Sequence, residues 1–227
     1  IYATLLTSKR RVLHQRAGEA LESLYPEAQA ENVELLAHHF GHSSLRERAL
    51  GYAVRAGQSA ATRHALTEAL TYFQQARELL NAQGQPQPRL NAIIALGLSD
   101  VHLGLGDPAA AAGDLRPLVD TPVFDLPAEL HAGALRRLAV ARRRLGEFNG
   151  ALEHLHAARQ VLTTGAVPAS ALSGAGANTP QPEPRLALPS ATQEAEREAW
   201  TIELTMAQIL FDMRESQRAR TQAEQVL

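Results

Sequence analysis

An all-α chain, wound as a right-handed α-solenoid of helical hairpins behind an N-terminal helical junction, is what this sequence points to. The first sign is a recurring turn: Leu105-Gly106-Asp107 and Leu145-Gly146-Glu147 each end one amphipathic segment and start another. An alanine stands five residues past each glycine, Ala111 and Ala151, followed by Leu118 and Ala158, so the second helix of each pair can pack on the first. The second sign is the lack of strand patterning. β-branched and aromatic residues are sparse, and no useful stretch alternates apolar and polar residues.

The elements follow in order. Residues 8–24 place Val12, Leu13, Ala17, Ala20, Leu21 and Leu24 on one face, and Pro26 ends that helix. A shorter helix over 30–40 buries Val33, Leu36, Ala37 and Phe40, with Gly41 as its stop. Ser44 with Glu47 reads as a capping box opening the next helix, and Ser190 with Gln193 repeats it before the helix of Trp200. Asp107-Pro108 is a start signal of another kind, a capping carboxylate followed by proline in the first helical position.

Composition bounds the rest. The 227 residues are 45% apolar with a net charge of -2, enough to bury a core and too neutral for a nucleic-acid coat. The absence of cysteine rules out disulfides and thiolate metal sites and is compatible with a cytoplasmic setting. No apolar run reaches the roughly 18 residues of a membrane span, and Ile1-Tyr2-Ala3 does not open a signal peptide. With no initiator Met and an end at Val226-Leu227 inside a helical pattern, the chain reads as a piece of a longer protein. Lys9 is the single lysine among 22 basic residues, a skew that suggests a GC-rich bacterial genome.

Overlaying the hairpins gives a repeat. Gly57, Ala69, Phe73 and Ala76 in the first unit correspond to Ser99, Ala111, Leu115 and Leu118 in the second and to Ala139, Ala151, Leu155 and Ala158 in the third. A fourth, truncated unit would use Ala207, Ala219, Ala223 and Val226. The small and large places resemble the tetratricopeptide repeat, whose period is about 34 residues. The units here are spaced more widely, with Pro86, Pro88, Pro122 and Pro127 marking the added residues. The resulting division is a helical junction at 1–42, three hairpins at 43–162, an Ala/Gly/Pro-rich insertion expected to be disordered at 163–190, and a truncated hairpin at 191–227.

A further resemblance lies near the start. The segments Leu13 to Glu22, Glu34 to Phe40 (with Leu36-Ala37-His38-His39-Phe40) and Ala49 to Gly57 (with Arg55-Ala56-Gly57) look like a junction in large bacterial signalling ATPases. In those proteins, the STAND-type regulators and ATPase-linked nucleotide cyclases, this junction follows the nucleotide-binding and winged-helix modules and leads into tetratricopeptide repeats. The match covers residues 1–80. It implies a helical sensor arm that receives an inducer or partner protein and biases an ATPase switch in an upstream module of the same chain. The glycine-rich phosphate loop of such ATPases is not in this sequence, so no nucleotide-binding residue carries over.

Candidate chemistry is thin. His38 and His42, four apart with His39 between them, could share a helix face as metal ligands, but Gly41 sits near a helix end and no HExxH pattern is present, which favours a packing role. His154 and His156, two apart, point to different sides of a helix. No Gly-x-Ser-x-Gly elbow, cysteine nucleophile or selected acid/base pair appears, so neither an enzyme nor a cofactor nor a metal is expected within these residues.

The sharper expectation is a groove. In tetratricopeptide proteins the first helix of each unit lines the concave side, and the corresponding places in the third unit are Gly133, Arg136, Arg137, Val140, Arg143 and Arg144. The second unit adds Ile93, Leu96 and Asp100 to that side. Guanidinium groups over an apolar floor would suit an acidic protein or peptide partner with apolar anchors. A run such as Arg142-Arg143-Arg144 is also common on plain solvated surface, so both readings stand. Lys9-Arg10-Arg11 fits an interface with an upstream module, or surface, better than a DNA contact, and near-neutral charge with few aromatics disfavours nucleic acid. A free-standing scaffold without an ATPase is the alternative function.

Overall fold

In a computed structural model of the chain, residues 7–24, 31–120, 126–164 and 191–226 are described, the last helix with the side chains of 193–217. Among the described residues the regular structure is all helical: α1 Thr7–Leu24, α2 Val33–Gly41, α3 Arg46–Thr62, α4 Leu66–Asn81, α5 Pro88–Gly104, α6 Pro108–Val119, α7 Ala128–Arg144, α8 Phe148–Thr164 and α9 Ala191–Val226. The chain divides into two compact units, 1–114 and 115–227, so that α6 begins in the first and ends in the second.

In the first unit α2 packs on α1 and α3, and α4 packs on α3 and α5. Val33, Leu36, Ala37 and Phe40 are the buried face of α2, as their spacing requires. They join Ala49, Tyr52 and Ala56 of α3 in one cluster, where the Phe40 and Tyr52 rings stack at 5.2 Å. Helix α1 differs from expectation. Its packing face is His14, Gln15, Gly18, Leu21 and Glu22, and Gly18 is its buried residue because a Cβ there would lie 2.8 Å from the tip of the Phe40 ring. The apolar row Val12, Leu13 and Leu24 is exposed. The close helix approach through a glycine, with polar residues bonding on either side of it, decides the face instead of hydrophobicity: Tyr52 Oη donates to Glu22 Oε1 at 2.6 Å and Arg48 pairs with Glu22 at 3.0 Å.

The α3/α4 hairpin buries Gly57, Ala69, Phe73 and Ala76, the four places read from the repeat. Ile94, Leu98 and Val101 of α5 complete the cluster. Phe73 is fitted between two glycines: a Cβ on Gly57 would meet its ring at 3.0 Å, and one on Gly97 at 2.4 Å.

All three hairpin turns share one hydrogen-bond pattern. Asp107 N donates to His102 O at 2.8 Å, Glu147 N to Arg142 O at 2.9 Å and Ala65 N to Ala60 O at 2.9 Å, the six-to-one bond of a Schellman motif. The residue preceding each donor is left-handed: Gly106 and Gly146 at φ +81° and, where glycine is missing, His64 at φ +58°. Of the expected caps, Asp107 is present, its Oδ1 accepting from Ala110 N at 2.9 Å. The Ser44–Glu47 box is absent; α3 has no side-chain cap, and Ser44 Oγ instead donates to Gln15 Oε1 at 3.3 Å, tying the loop to α1. Ser190 lies outside the described residues, as does most of the expected disordered insertion, 165–190.

In the second unit α7, α8 and α9 each pack on the other two. Ala132, Leu135, Ala139, Ala151, Leu155 and Ala158 form the hairpin core, and Ile202 and Ile209 of α9, seven apart on one face, insert into it. Where a truncated hairpin was expected at 191–227, α9 is one uninterrupted helix, and Ala207, assigned to a small buried place, is exposed. No glycine or proline interrupts 191–226, so nothing in the sequence breaks the helix there.

Candidate interaction surfaces

The arginines of α7 come from the helical stretch Arg136 to Arg144, where spacings of three, four and seven put Arg136, Arg143 and Val140 on one face. That face meets α9. Arg136 grips Glu198 in a fork, Nε to Oε2 at 2.7 Å and Nη2 to Oε1 at 3.4 Å. Arg137 approaches the same carboxylate at 3.7 Å and donates to Gly133 O at 3.3 Å. One turn pair further on, Arg143 Nη1 donates to Asp212 Oδ2 at 3.1 Å, while its Nε is buried without a hydrogen-bond partner. All three arginines are half-buried, Val140 is half-buried and Arg144 is exposed. The acidic segment with apolar anchors that this face would accept is thus present in the chain itself: Glu198 and Asp212 flank Ile202 and Ile209 on α9.

The remaining expected groove residues belong to the first unit. Leu96 is buried, and its carbonyl accepts from Ser99 Oγ at 2.8 Å, satisfying the buried hydroxyl of the small-residue place. Ile93 packs half-buried against the α3–α5 core, and Asp100 is exposed.

The opposite face of α9 is apolar and open. Trp200, Leu204 and Phe211 follow each other at helical spacings of four and seven with 80%, 72% and 58% of their surface exposed. Isolated exposed apolar residues are ordinary, but an aligned row on one helix is the pattern of a docking face. Reading Trp200 only as the content of a helix missed this, because which of two apolar faces is covered depends on α7 and α8.

Sequence reasoning also missed a carboxylate that joins three helices. Asp114 of α6, only 8% exposed in its side chain, pairs with Arg77 of α4 at 2.9 Å and with His102 Nδ1 of α5 at 2.7 Å. Its separation from Arg77 leaves no local signal.

The two histidines of α2 and His42 at its C-cap gather a fourth ring. His14 of α1 stands 5.5, 5.2 and 5.0 Å from His38, His39 and His42, and its Nδ1 lies 3.1 Å from His39 Nδ1. Burial, and then the neighbouring histidines, hold His14 and His39 below the usual histidine range. Among the described residues no three His, Asp or Glu side chains converge to hold a metal ion. His154 is half-buried with Nε2 unpartnered, and burial lowers its pKa, whereas His156 faces outward beside Arg159, so the two do point apart.

Compared with protein-family models and with curated proteins, the chain matches none. No helix among the described residues is long and apolar enough to cross a membrane.

Proposed function

We propose that the chain is a protein-interaction and sensor arm of a multidomain bacterial signalling ATPase or transcriptional regulator, acting in the cytoplasm. In this reading its hairpins are tetratricopeptide-like and stack as a right-handed solenoid. A partner or inducer binds the arm and biases the ATPase switch of an upstream module. The observation that carries the reading is the row Trp200, Leu204 and Phe211, an aligned apolar face left open on a helix whose other face is already docked. The partner it suits is an amphipathic helix with apolar residues at matching spacings, the mode by which α9 itself lies on α7 and α8. The exposed Val12, Leu13 and Leu24 of α1 give the junction a second apolar face next to Lys9-Arg10-Arg11, suited to an adjoining module.

Because Arg136, Arg137 and Arg143 are engaged by α9, an acidic partner would have to displace that helix to reach them, and the outer face of α9 is the open alternative. The gene provides the first test. A phosphate-loop motif in frame upstream of Ile1 supports the ATPase reading, and a start codon next to Ile1 leaves the free-standing adaptor. In the full-length protein, Trp200→Ser combined with Phe211→Ser removes only exposed side chains and is expected to abolish partner-dependent change in ATP turnover. Unchanged partner response in that variant would count against the α9 face.

A further inference from the structure

Between the start of α1 and the α2–α3 loop lies a half-open cavity of about 590 Å³ whose charged lining, among the described residues, is all of one sign. Arg10 and Arg11 line it from α1 and Arg46 from the first turn of α3, with the imidazoles of His14 and His42 between them and Ser44 at the loop. No carboxylate among the described residues lines it. Among the described residues neither Arg11 nor Arg46 pairs with an acid, unlike Arg48, Arg63 and Arg77 in the same unit, which pair with Glu22, Glu34 and Asp114. Arg11 and Arg46 repel one another across the concavity, and a bound anion offsets that repulsion. The uncapped end of α3 adds its partial positive charge in the same direction.

We propose that this cavity binds a small phosphate-bearing molecule with two or more phosphoryl groups. Guanidinium forks match phosphate oxygens in geometry, and two that pair with no acid match the charge of a diphosphate or longer group better than that of a single carboxylate. The volume lies within the range of roughly 300–1,000 Å³ found for small-molecule sites, and exceeds what one inorganic phosphate fills. Ser44 Oγ, now on Gln15 through a long 3.3 Å bond, is placed to exchange that partner for a phosphate oxygen. The site stands independently of any ATPase: it gives the junction a small-molecule input of its own.

Inorganic tripolyphosphate is the probe, titrated calorimetrically into the whole chain at low salt. The expected result is one saturable site, weakened about tenfold or more by Arg11→Ser with Arg46→Ser. The charge-matched control Arg16→Ser with Arg89→Ser, outside the cavity, should leave it unchanged. Both arginine pairs involve exposed side chains, and helix content by circular dichroism verifies that each variant is folded. Equal losses in the two pairs would mean diffuse charge attraction and overturn the site, as would absence of binding. An acidic peptide that binds as tightly as tripolyphosphate would overturn the phosphate assignment.

Discussion

Two hairpins in this chain are each closed by the helix that follows, and they are closed by different physics. In the first unit α5 covers α3/α4 through apolar contact, with Phe73 set between Gly57 and Gly97 and with Ile94, Leu98 and Val101 around it. In the second, α9 covers α7/α8 with two isoleucines and a row of ion pairs, Arg136–Glu198 and Arg143–Asp212. The place filled by Phe73 in one is filled by Leu155 in the other, and the difference runs outward from there. A ring needs a glycine on both neighbouring helices, whereas a leucine tolerates Ala139. A steric closure is specific in shape and insensitive to salt. An ionic one is specific in charge and responds to salt and competitors.

Removing the ring breaks the comparison most severely. Phe73→Ala is expected to destabilise the first unit by about 3–5 kcal/mol, measured by denaturant unfolding, with hydrogen exchange locating the loss in α3–α5. Gly97→Ala comes next, at about 1–3 kcal/mol, because its Cβ would press into a stiff ring. In a Phe73→Leu background, which imports the arrangement of the second unit, most of that cost should disappear. If it does not, the glycine serves something other than the ring. Arg136→Ala leaves Glu198 partly buried without its fork and should cost about 1–2 kcal/mol, shrinking in 1 M salt. Gly97→Ala should show no such salt dependence, which separates the two closures.

A smaller effect has the opposite sign. His64 holds the left-handed turn position that Gly106 and Gly146 hold elsewhere. His64→Gly should raise stability by about 1 kcal/mol, read as an increase in Tm. The last prediction concerns pH. His14 and His39 in the first unit, and His131 and His154 in the second, have pKa values lowered chiefly by burial. A histidine whose folded pKa lies below its unfolded value of about 6.5 stabilises the fold above that pH and loses its contribution as pH falls through the folded pKa. Both units should therefore loosen gradually below pH 6.5. At the alkaline end only the first unit should respond, since burial and the bond to Glu22 raise Tyr52 to about 12 and its contribution fades between pH 10 and 12. Exchange rates followed helix by helix across pH would show both trends.

Much of the local architecture was legible from residue spacing alone. The buried set of α2, the small places Ala69, Ala111, Ala139 and Ala151, the glycine turns and the Asp107 cap all rest on interactions within one or two helical turns or on a period that repeats. Where reading by hydrophobicity failed, as on α1 and α9, two apolar or nearly equivalent faces competed, and the neighbouring helix chose between them. The arginine row was visible as a row. Its partners, sixty or more residues away across a segment of unrelated composition, were not.

The sequence by itself determined that the chain is helical, where hairpins turn and which residues are small enough for helices to approach, because periodicity and backbone chemistry act locally. Only the tertiary structure decided which charges meet. Arg136 and Arg143 were matched by Glu198 and Asp212, Asp114 by Arg77 and His102, while Arg11 and Arg46, among the described residues, met no acid. Coulomb interactions depend on distance through space, and a one-dimensional pattern does not carry that distance.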